Sequence, residues 1–282
     1  MIDLHIHSKY SDGTNSIDEL VKIAKAKNLP AMSLTDHDTT FGVAKIIEAA
    51  KKENIKVIPG VEISSVSNGH LIHVLGYNID IKNSQLQDLF KKIGNYFNET
   101  FLEHYTWLQK NHIIEFDLDK ILKYSEYKQC LALSDILKAM IDDGAPYTLK
   151  DWPEFFNKKI MLYSGGHFIE NFPVHPSEAI EVIKLAGGIP VFAHPARIGN
   201  ADLSEMKLLL PYGLAGVEVY YPYHGKELVK RYENFANKHD LIKTGGTDWH
   251  GDELTTWDCE IGDYGIADLK IIQSSSNMEL LL

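Results

Sequence analysis

Met1-Ile2-Asp3-Leu4-His5-Ile6-His7-Ser8 is the stretch on which the reading of the whole chain turns. Apolar Ile2, Leu4 and Ile6 alternate with polar Asp3, His5 and His7, the period of a β-strand. On such a strand both imidazoles of His5-x-His7 face one side, where two nitrogens can reach one ion. The same design recurs downstream. Ala31-Met32-Ser33-Leu34-Thr35 runs into Asp36-His37-Asp38, and Lys56-Val57-Ile58-Pro59-Gly60-Val61 runs into Glu62. Leu71-Ile72-His73-Val74-Leu75-Gly76-Tyr77 carries a histidine inside its run. Ile189-Pro190-Val191-Phe192-Ala193 leads to His194-Pro195, Gly216-Val217-Glu218-Val219-Tyr220 follows, and Leu241-Ile242-Lys243-Thr244 leads through Gly245-Gly246 to Thr247-Asp248-Trp249-His250.

Helical patterns lie between these runs. Residues 16–27 place Ile17, Leu20, Val21, Ile23 and Ala24 on one face, and Ser16 with Glu19 has the spacing of a capping box. Residues 39–53, 177–186 and 226–239 read the same way. Strands alternating with helices imply an α/β fold with a mostly parallel sheet. Residues 83–163 break the alternation: they are rich in Lys, Glu, Tyr and Phe, lack such strand runs, and read as an inserted helical subdomain. The expected organisation is a metal-bearing unit from residues 1–82 and 164–267, the insertion 83–163, and a C-terminal tail 268–282 without assigned role.

Composition narrows the function. The 282 residues are 44% hydrophobic and 24% charged, as in an ordinary globular chain. No apolar run nears the ~20 residues of a membrane helix, and the N-terminus lacks a signal-peptide layout, so the expected location is the cytoplasm. Cys130 and Cys259 have no Cys-x-x-Cys spacing and read as free thiols. A formal charge of −11 disfavours long duplex nucleic acid, whose binding needs Lys and Arg on phosphates, yet it permits a small phosphorylated substrate beside bound metals.

Barrels and open α/β sheets present reactive groups at the C-terminal ends of parallel strands. Here those ends carry His5, His7, His37, Glu62, His194, Asp248 and His250, with Asp12 in Ser11-Asp12-Gly13-Thr14 and His73 within its strand. A lone histidine is normally an ordinary core or surface residue, and His70, His104, His112, His175 and His239 are read so. The repeated set is different. Nitrogen and oxygen donors suit Zn, Mn or Fe, and nine candidates exceed the needs of one tetrahedral ion. Two or three ions sharing a bridging carboxylate, Glu62 being the natural choice, fit better and suit attack on a phosphoryl group. Gly245-Gly246 is no P-loop, and no competing nucleophile motif occurs.

These motifs resemble the PHP family, the polymerase and histidinol phosphatase domains. The resemblance rests on Asp3-Leu4-His5-Ile6-His7-Ser8, Ser11-Asp12-Gly13, Leu34-Thr35-Asp36-His37-Asp38, Pro59-Gly60-Val61-Glu62-Ile63-Ser64, His73-Val74-Leu75-Gly76, Ala193-His194-Pro195 and Gly246-Thr247-Asp248-Trp249-His250-Gly251. It implies a distorted (β/α)7 barrel and a trinuclear centre. It places His5, His7, Glu62 and Asp248 on one metal, Glu62, His73 and His194 on a second, and Asp12, His37 and His250 on a third. The branch that looks most similar, from residues 186–197 and 216–221, acts on nucleoside 3′,5′-bisphosphates or short oligonucleotide ends. In that branch Arg197 looks like a phosphate clamp and His224 a substrate contact, with Asp36, His37 or His224 as candidates for the acid.

One departure stands out. Where the branch carries Arg-Pro-His in the insertion, this chain has Lys128-Gln129-Cys130-Leu131-Ala132-Leu133, so either a differently phosphorylated metabolite is preferred or another basic residue, such as Lys128 or Lys158, substitutes at the second phosphate. The expected function is hydrolysis of phosphomonoesters of small metabolites or nucleotides by a metal-activated hydroxide. The competing readings are an exonuclease on short oligonucleotides, a histidinol-phosphate phosphatase, and a non-catalytic metal-stabilised binding domain.

Overall fold

The structure is a computed structural model that describes residues 1–124, 131–156, 158, 167–255 and 257–268. Six strands form one curled sheet in chain order: β1 (Ala31–Leu34), β2 (Lys56–Ser67), β3 (His70–Tyr77), β4 (Ile189–Phe192), β5 (Gly216–Tyr220) and β6 (Ile242–Gly245). The helices are α1 (Ile17–Ala26), α2 (Val43–Lys51), α3 (Ser84–Lys110), α4 (Asp119–Leu122), α5 (Ser134–Asp142), α6 (Trp152–Phe155), α7 (His167–Glu170), α8 (Pro176–Leu185), α9 (Asp202–Leu209) and α10 (Lys226–Lys238). The expected cap of α1 is present: Glu19 N donates to the Ser16 hydroxyl, and Ser16 N donates to the Glu19 carboxylate at 2.7 Å. No described helix is long and apolar enough to cross a membrane.

The sheet is less parallel than the strand–helix alternation implies. β1–β2, β4–β5 and β5–β6 pair parallel, but β3 runs antiparallel to both neighbours. The reason is local. β2 and β3 are joined by Asn68 (φ 49°) and Gly69 (φ 78°), two left-handed residues in a row, the backbone of a two-residue hairpin turn. A chain turned so tightly cannot cross over to a parallel neighbour.

The opening segment does not form a long strand, yet it lies where one would. Asp3 bridges Met32 of β1 and Ile6 bridges Trp249 beyond β6, both in parallel sense. Ser33 N donates to Asp3 O, and Leu4 N to Gly245 O, so residues 2–7 join the two edges of the curled sheet. Asp3 fastens this seam: its oxygens accept from His5 N, Thr247 N, the Thr247 hydroxyl and Gly262 N.

Apolar packing explains why the polar site can be afforded. Leu4, Ala31, Ile58, Leu75, Tyr77 and Val191 fill one end of the curl, and α1 and α2 cover Ile6, Met32 and Leu34. On the other flank α3, α8, α9 and α10 pack over β2–β5 through residues such as Phe90, Ile183, Met206 and Phe235. Each such side chain contributes about 2 kcal/mol on burial. A further apolar cluster, with Phe101, Leu108, Ile121, Ile136, Leu137 and Phe155, lies among α3–α6.

Candidate metal centre

His5 and His7 behave as their strand spacing demands. Both are fully buried and both project Nε2 to the same two carboxylates. His5 Nε2 is 3.0 Å from Glu62 Oε2 and 3.3 Å from Asp248 Oδ1, and His7 Nε2 is 3.1 Å from each. Leu4 and Ile6 turn the other way into apolar clusters. The β6 end passes so close that a Cβ on Gly246 would sit 2.5 Å from His5 N and His5 Cβ. This explains the glycine before Thr247-Asp248 without any phosphate loop.

Glu62 is the hub. Its Oε2 faces His5, His7 and, at 3.3 Å, His37 Nδ1; its Oε1 faces His73 Nδ1 at 3.0 Å and His194 Nε2 at 2.9 Å. The hairpin supplies this geometry. Ser64 pairs with His73 and Glu62 with Leu75, so Glu62 and His73 are diagonal neighbours on one face. His194 follows β4, whose residue 192 pairs with Val74, and its Nε2 lies 3.3 Å from His73 Nδ1.

The third group gathers at the rim. Asp12 Oδ1 lies 3.3 Å from His250 Nε2 and 3.8 Å from His7 Nδ1, and Asp12 Oδ2 lies 3.9 Å from His37 Nε2. Three donor sets therefore converge closely enough for one ion each: His5, His7, Glu62 and Asp248; His7, Asp12, His37 and His250; and His37, Glu62 and His73. The first set is the one expected. In the second His7 joins the expected trio, and in the third His37 stands where the sequence reading has His194, which touches the same Glu62 oxygen.

Asp248-x-His250 does not repeat the strand geometry of His5-x-His7. Asp248 has φ 51°, a left-handed residue that breaks the extended run, and His250 Nδ1 comes back to within 2.8 Å of the Asp248 carbonyl oxygen. Asp tolerates this conformation better than most residues. His194 (φ 26°) and Asp38 (φ 53°) are left-handed too, so three turns at the strand ends aim side chains inward.

The electrostatics set buried imidazoles against buried carboxylates. Burial favours neutral imidazoles and prevails at His37 and His194, each pushed down to about 3. At His7 burial is outweighed by the adjacent Asp248 and Glu62 carboxylates, which raise it to about 10. Burial likewise opposes ionised Glu62 and Asp248, but the surrounding histidines hold both well below the usual carboxylate range. Meanwhile both ring nitrogens of His7, His37 Nδ1 and Asp248 Oδ1 are buried without a hydrogen-bond partner among the described residues. Unsatisfied buried donors and acceptors of this kind fit a divalent cation.

Some functional residues escape the sequence reading. Glu218, fully buried in β5, accepts from His5 Nδ1 at 2.9 Å on one oxygen and from His194 N at 2.8 Å on the other. It fixes the His5 tautomer that leaves Nε2 free for a ligand bond. The available signal was a single acid in the middle of an apolar strand, which is rare unless it is paired. Tyr221 donates its hydroxyl to Asp248 Oδ2 at 3.0 Å, and Arg197 Nη1 reaches the same oxygen at 3.3 Å from a half-exposed side chain.

The other singled-out residues lie as follows. Asp36 is saturated: its oxygens accept from Ser8 N, the Ser8 hydroxyl and the Ser11 hydroxyl, each at 2.7 Å, which pins the loop bearing Asp12. His224 is buried between the Tyr221 and Tyr232 rings, with Nδ1 donating to Val219 O and Nε2 unpartnered among the described residues. Lys158 is exposed and bonds Glu154 at 2.6 Å. Lys128, Cys130 and the tail beyond residue 268 lie outside the described residues, and Cys259 is a half-buried free thiol.

The PHP domain model matches residues 3–159, and the chain belongs to the PHP domain family, an enzyme of its metal-dependent phosphoesterase class. A phosphoribosyl 1,2-cyclic phosphate 1,2-diphosphodiesterase of Eggerthella lenta is 26% identical over 256 residues, spanning 88% of this chain and 94% of that one. A 3′,5′-nucleoside bisphosphate phosphatase of Chromobacterium violaceum is 28% identical, over 88% and 87% of the two chains. A 5′-3′ exoribonuclease of Haemophilus influenzae is 29% identical, over 88% and 89%. The same fold occurs in a solved structure from Bifidobacterium adolescentis, with TM-score 0.84 at 24% identity over 97% of this chain and 94% of that one.

Proposed function

We propose that the chain hydrolyses phosphomonoesters of small phosphorylated metabolites or nucleotides. The observation that carries this reading is the split use of Glu62, one oxygen toward His5, His7 and His37, the other toward His73 and His194. A carboxylate so placed suits a bridge between ions. His5, His7, Asp12, His37, Glu62, His73, His194, Asp248 and His250 would hold two or three divalent ions, Mn, Fe or Zn. Such ions supply an activated water and neutralise charge on phosphoryl oxygens.

The protein's own groups do the rest. Glu218 and Tyr221 orient His5 and Asp248. Arg197, fixed by Asp248 yet half exposed, binds a phosphoryl oxygen with its remaining N–H donors. His37 serves as one of the ligands at the rim, while Asp36 acts by holding the Ser8–Asp12 loop. The nine-ligand set sits in a (β/α)7-type barrel in which residues 2–7 serve as a strand, and the inserted subdomain of residues 83–163, helical in its described residues, covers the site.

Phosphate release from adenosine 3′,5′-bisphosphate, mononucleotides, short oligonucleotides and histidinol phosphate, with and without chelator, tests this. Chelator-sensitive turnover of the monoesters is expected; no turnover by fully metal-loaded protein would overturn it. A second reading, exonucleolytic cleavage of short oligonucleotides, has one feature in its favour. A cleft of about 760 Å³ beside Gly13 and Thr14 is lined by Lys9, Lys123, Lys138 and Lys150 against Asp142 and Glu253, an excess of cations in an acidic protein. Turnover of a trinucleotide but of no mononucleotide would select it.

A further inference from the structure

A smaller cavity of about 170 Å³ opens directly from the metal centre. Asp12, His37 and His73 form one end of it. Away from them the lining changes character, to Phe97 of α3, Leu131, and Trp152 and Phe156 in and after α6. The Trp152 and Phe156 rings lie 5.4 Å apart at 48°, so they present two faces of one corner. Tyr10, Ser11, Asp38, Thr39 and Ser64 line the cavity as well, so its polar side extends beyond the ligand residues. Ser134, at the start of α5 and 3% exposed, lines the cavity, and its hydroxyl has no hydrogen-bond partner among the described residues.

Size and chemistry together describe an occupant. An apolar cavity of ~150 Å³ accepts a benzene ring, so the volume of this one is that of one flat ring system. Aromatic walls favour stacking on a π-face. A buried hydroxyl without a partner is costly, because it has left water and gained nothing. A ring with polar atoms on its edge removes that cost, and a plain hydrocarbon ring does not. The distance from the ring pocket to the ligand cluster is a matter of adjoining walls, so ring and phosphate belong to one small molecule.

We infer that this slot is a nucleobase subsite: it stacks the base of a nucleotide against Trp152 and Phe156, bonds the base edge to the Ser134 hydroxyl, and so delivers the phosphate to the metal centre. The inference rests on the phosphoesterase reading for the role of the phosphate, but the slot itself is testable apart from it. It predicts that the enzyme discriminates by the ring and not by the phosphate alone, and that Trp152, Phe156 and Ser134 set specificity while the metal ligands do not.

The experiment is calorimetric titration of the metal-loaded chain with non-hydrolysable phosphonate analogues of adenosine 5′-phosphate, phenyl phosphate and ribose 5-phosphate. The nucleoside analogue is expected to bind about 10-fold more tightly than the ribose analogue, the scale of one base–aromatic stack. Trp152→Ala erases that preference and leaves ribose-analogue affinity unchanged. Ser134→Ala, which removes one hydroxyl and is no threat to folding, lowers the nucleoside affinity about 5-fold while sparing the phenyl analogue. Equal binding of the three analogues, or Ser134→Ala and folded Trp152→Ala both indistinguishable from the parent chain, overturns the slot.

Turnover of the matching phosphates separates the two conclusions. Ring preference in binding without any hydrolysis leaves the slot standing and sinks the phosphoesterase reading. Hydrolysis without ring preference does the reverse.

Discussion

Two buried aspartates, Asp202 and Asp248, share a pattern of partners and differ in one atom. Each is 1% exposed, and each has one oxygen bonded to a tyrosine hydroxyl, Tyr232 at 2.8 Å or Tyr221 at 3.0 Å. Each also meets an arginine, Arg231 or Arg197. At Asp202 the account closes: Oδ1 accepts from Leu203 N at 2.6 Å and Arg231 Nη2 at 2.5 Å, so both oxygens are used. At Asp248 the arginine and tyrosine crowd onto Oδ2, and Oδ1 is left facing three imidazoles with no hydrogen bond of its own. A buried acid with both oxygens satisfied is a staple of the fold. One with an oxygen kept free is a ligand in waiting.

This contrast can be broken by exchange of readouts. Asp248→Ala is expected to abolish turnover and cut bound metal, with the fold retained; near-normal rates at full metal content would erase the distinction. Asp202→Ala is expected to leave turnover per folded molecule intact but to lower stability by about 2 kcal/mol, the loss of hydrogen bonds to a charged group, read in a urea titration. Glu218→Gln lies between them. It keeps the shape but weakens the brace on His5, and metal affinity should fall about 10- to 100-fold in a competition titration with a chelator. An unchanged affinity would mean that Glu218 only fills space.

Metal itself provides a milder test. At a free concentration about 100-fold above its dissociation constant, it should stabilise the parent chain by about 2.7 kcal/mol and Asp248→Ala by much less. The smallest effect concerns His224. Burial, offset only in part by its bond to Val219, pushes its imidazole down to about 4, against an ordinary value of 6.5. Between those values the unfolded chain holds a proton that the folded chain does not, so stability falls as pH drops from 6.5 toward 4. His224→Gln should flatten that part of the stability–pH profile; an unchanged slope would show that other groups dominate it.

Much of the site was legible because its ligands come in patterned strand ends. His5-x-His7, Glu62 after an apolar run and His194 after another all point to the same end of a sheet, and the structure brings them together. Glu218 was not legible in that way, since a brace needs no partner at fixed spacing and acts through space on His5. The antiparallel β3 was legible in principle: Asn68-Gly69 is a hairpin signal, but it sits inside a chain whose alternation suggests parallel strands. Asp36 shows the opposite failure. Its place beside His37 suggests chemistry, and only the hydroxyls of Ser8 and Ser11 reveal that its oxygens are occupied.

The seam formed by residues 2–7 between β1 and the β6 end has a consequence for biosynthesis. His5 and His7 are translated long before Asp248, their shared partner, and at ~5–20 residues per second that interval is roughly 10–50 s. Throughout it, the nascent chain carries a pair of imidazoles that lack one of their two shared carboxylates. Neither the closed sheet nor the donor sets that include Asp248 and His250 can form until the last strand leaves the ribosome, so completion of the metal centre belongs among the final events of this protein's maturation.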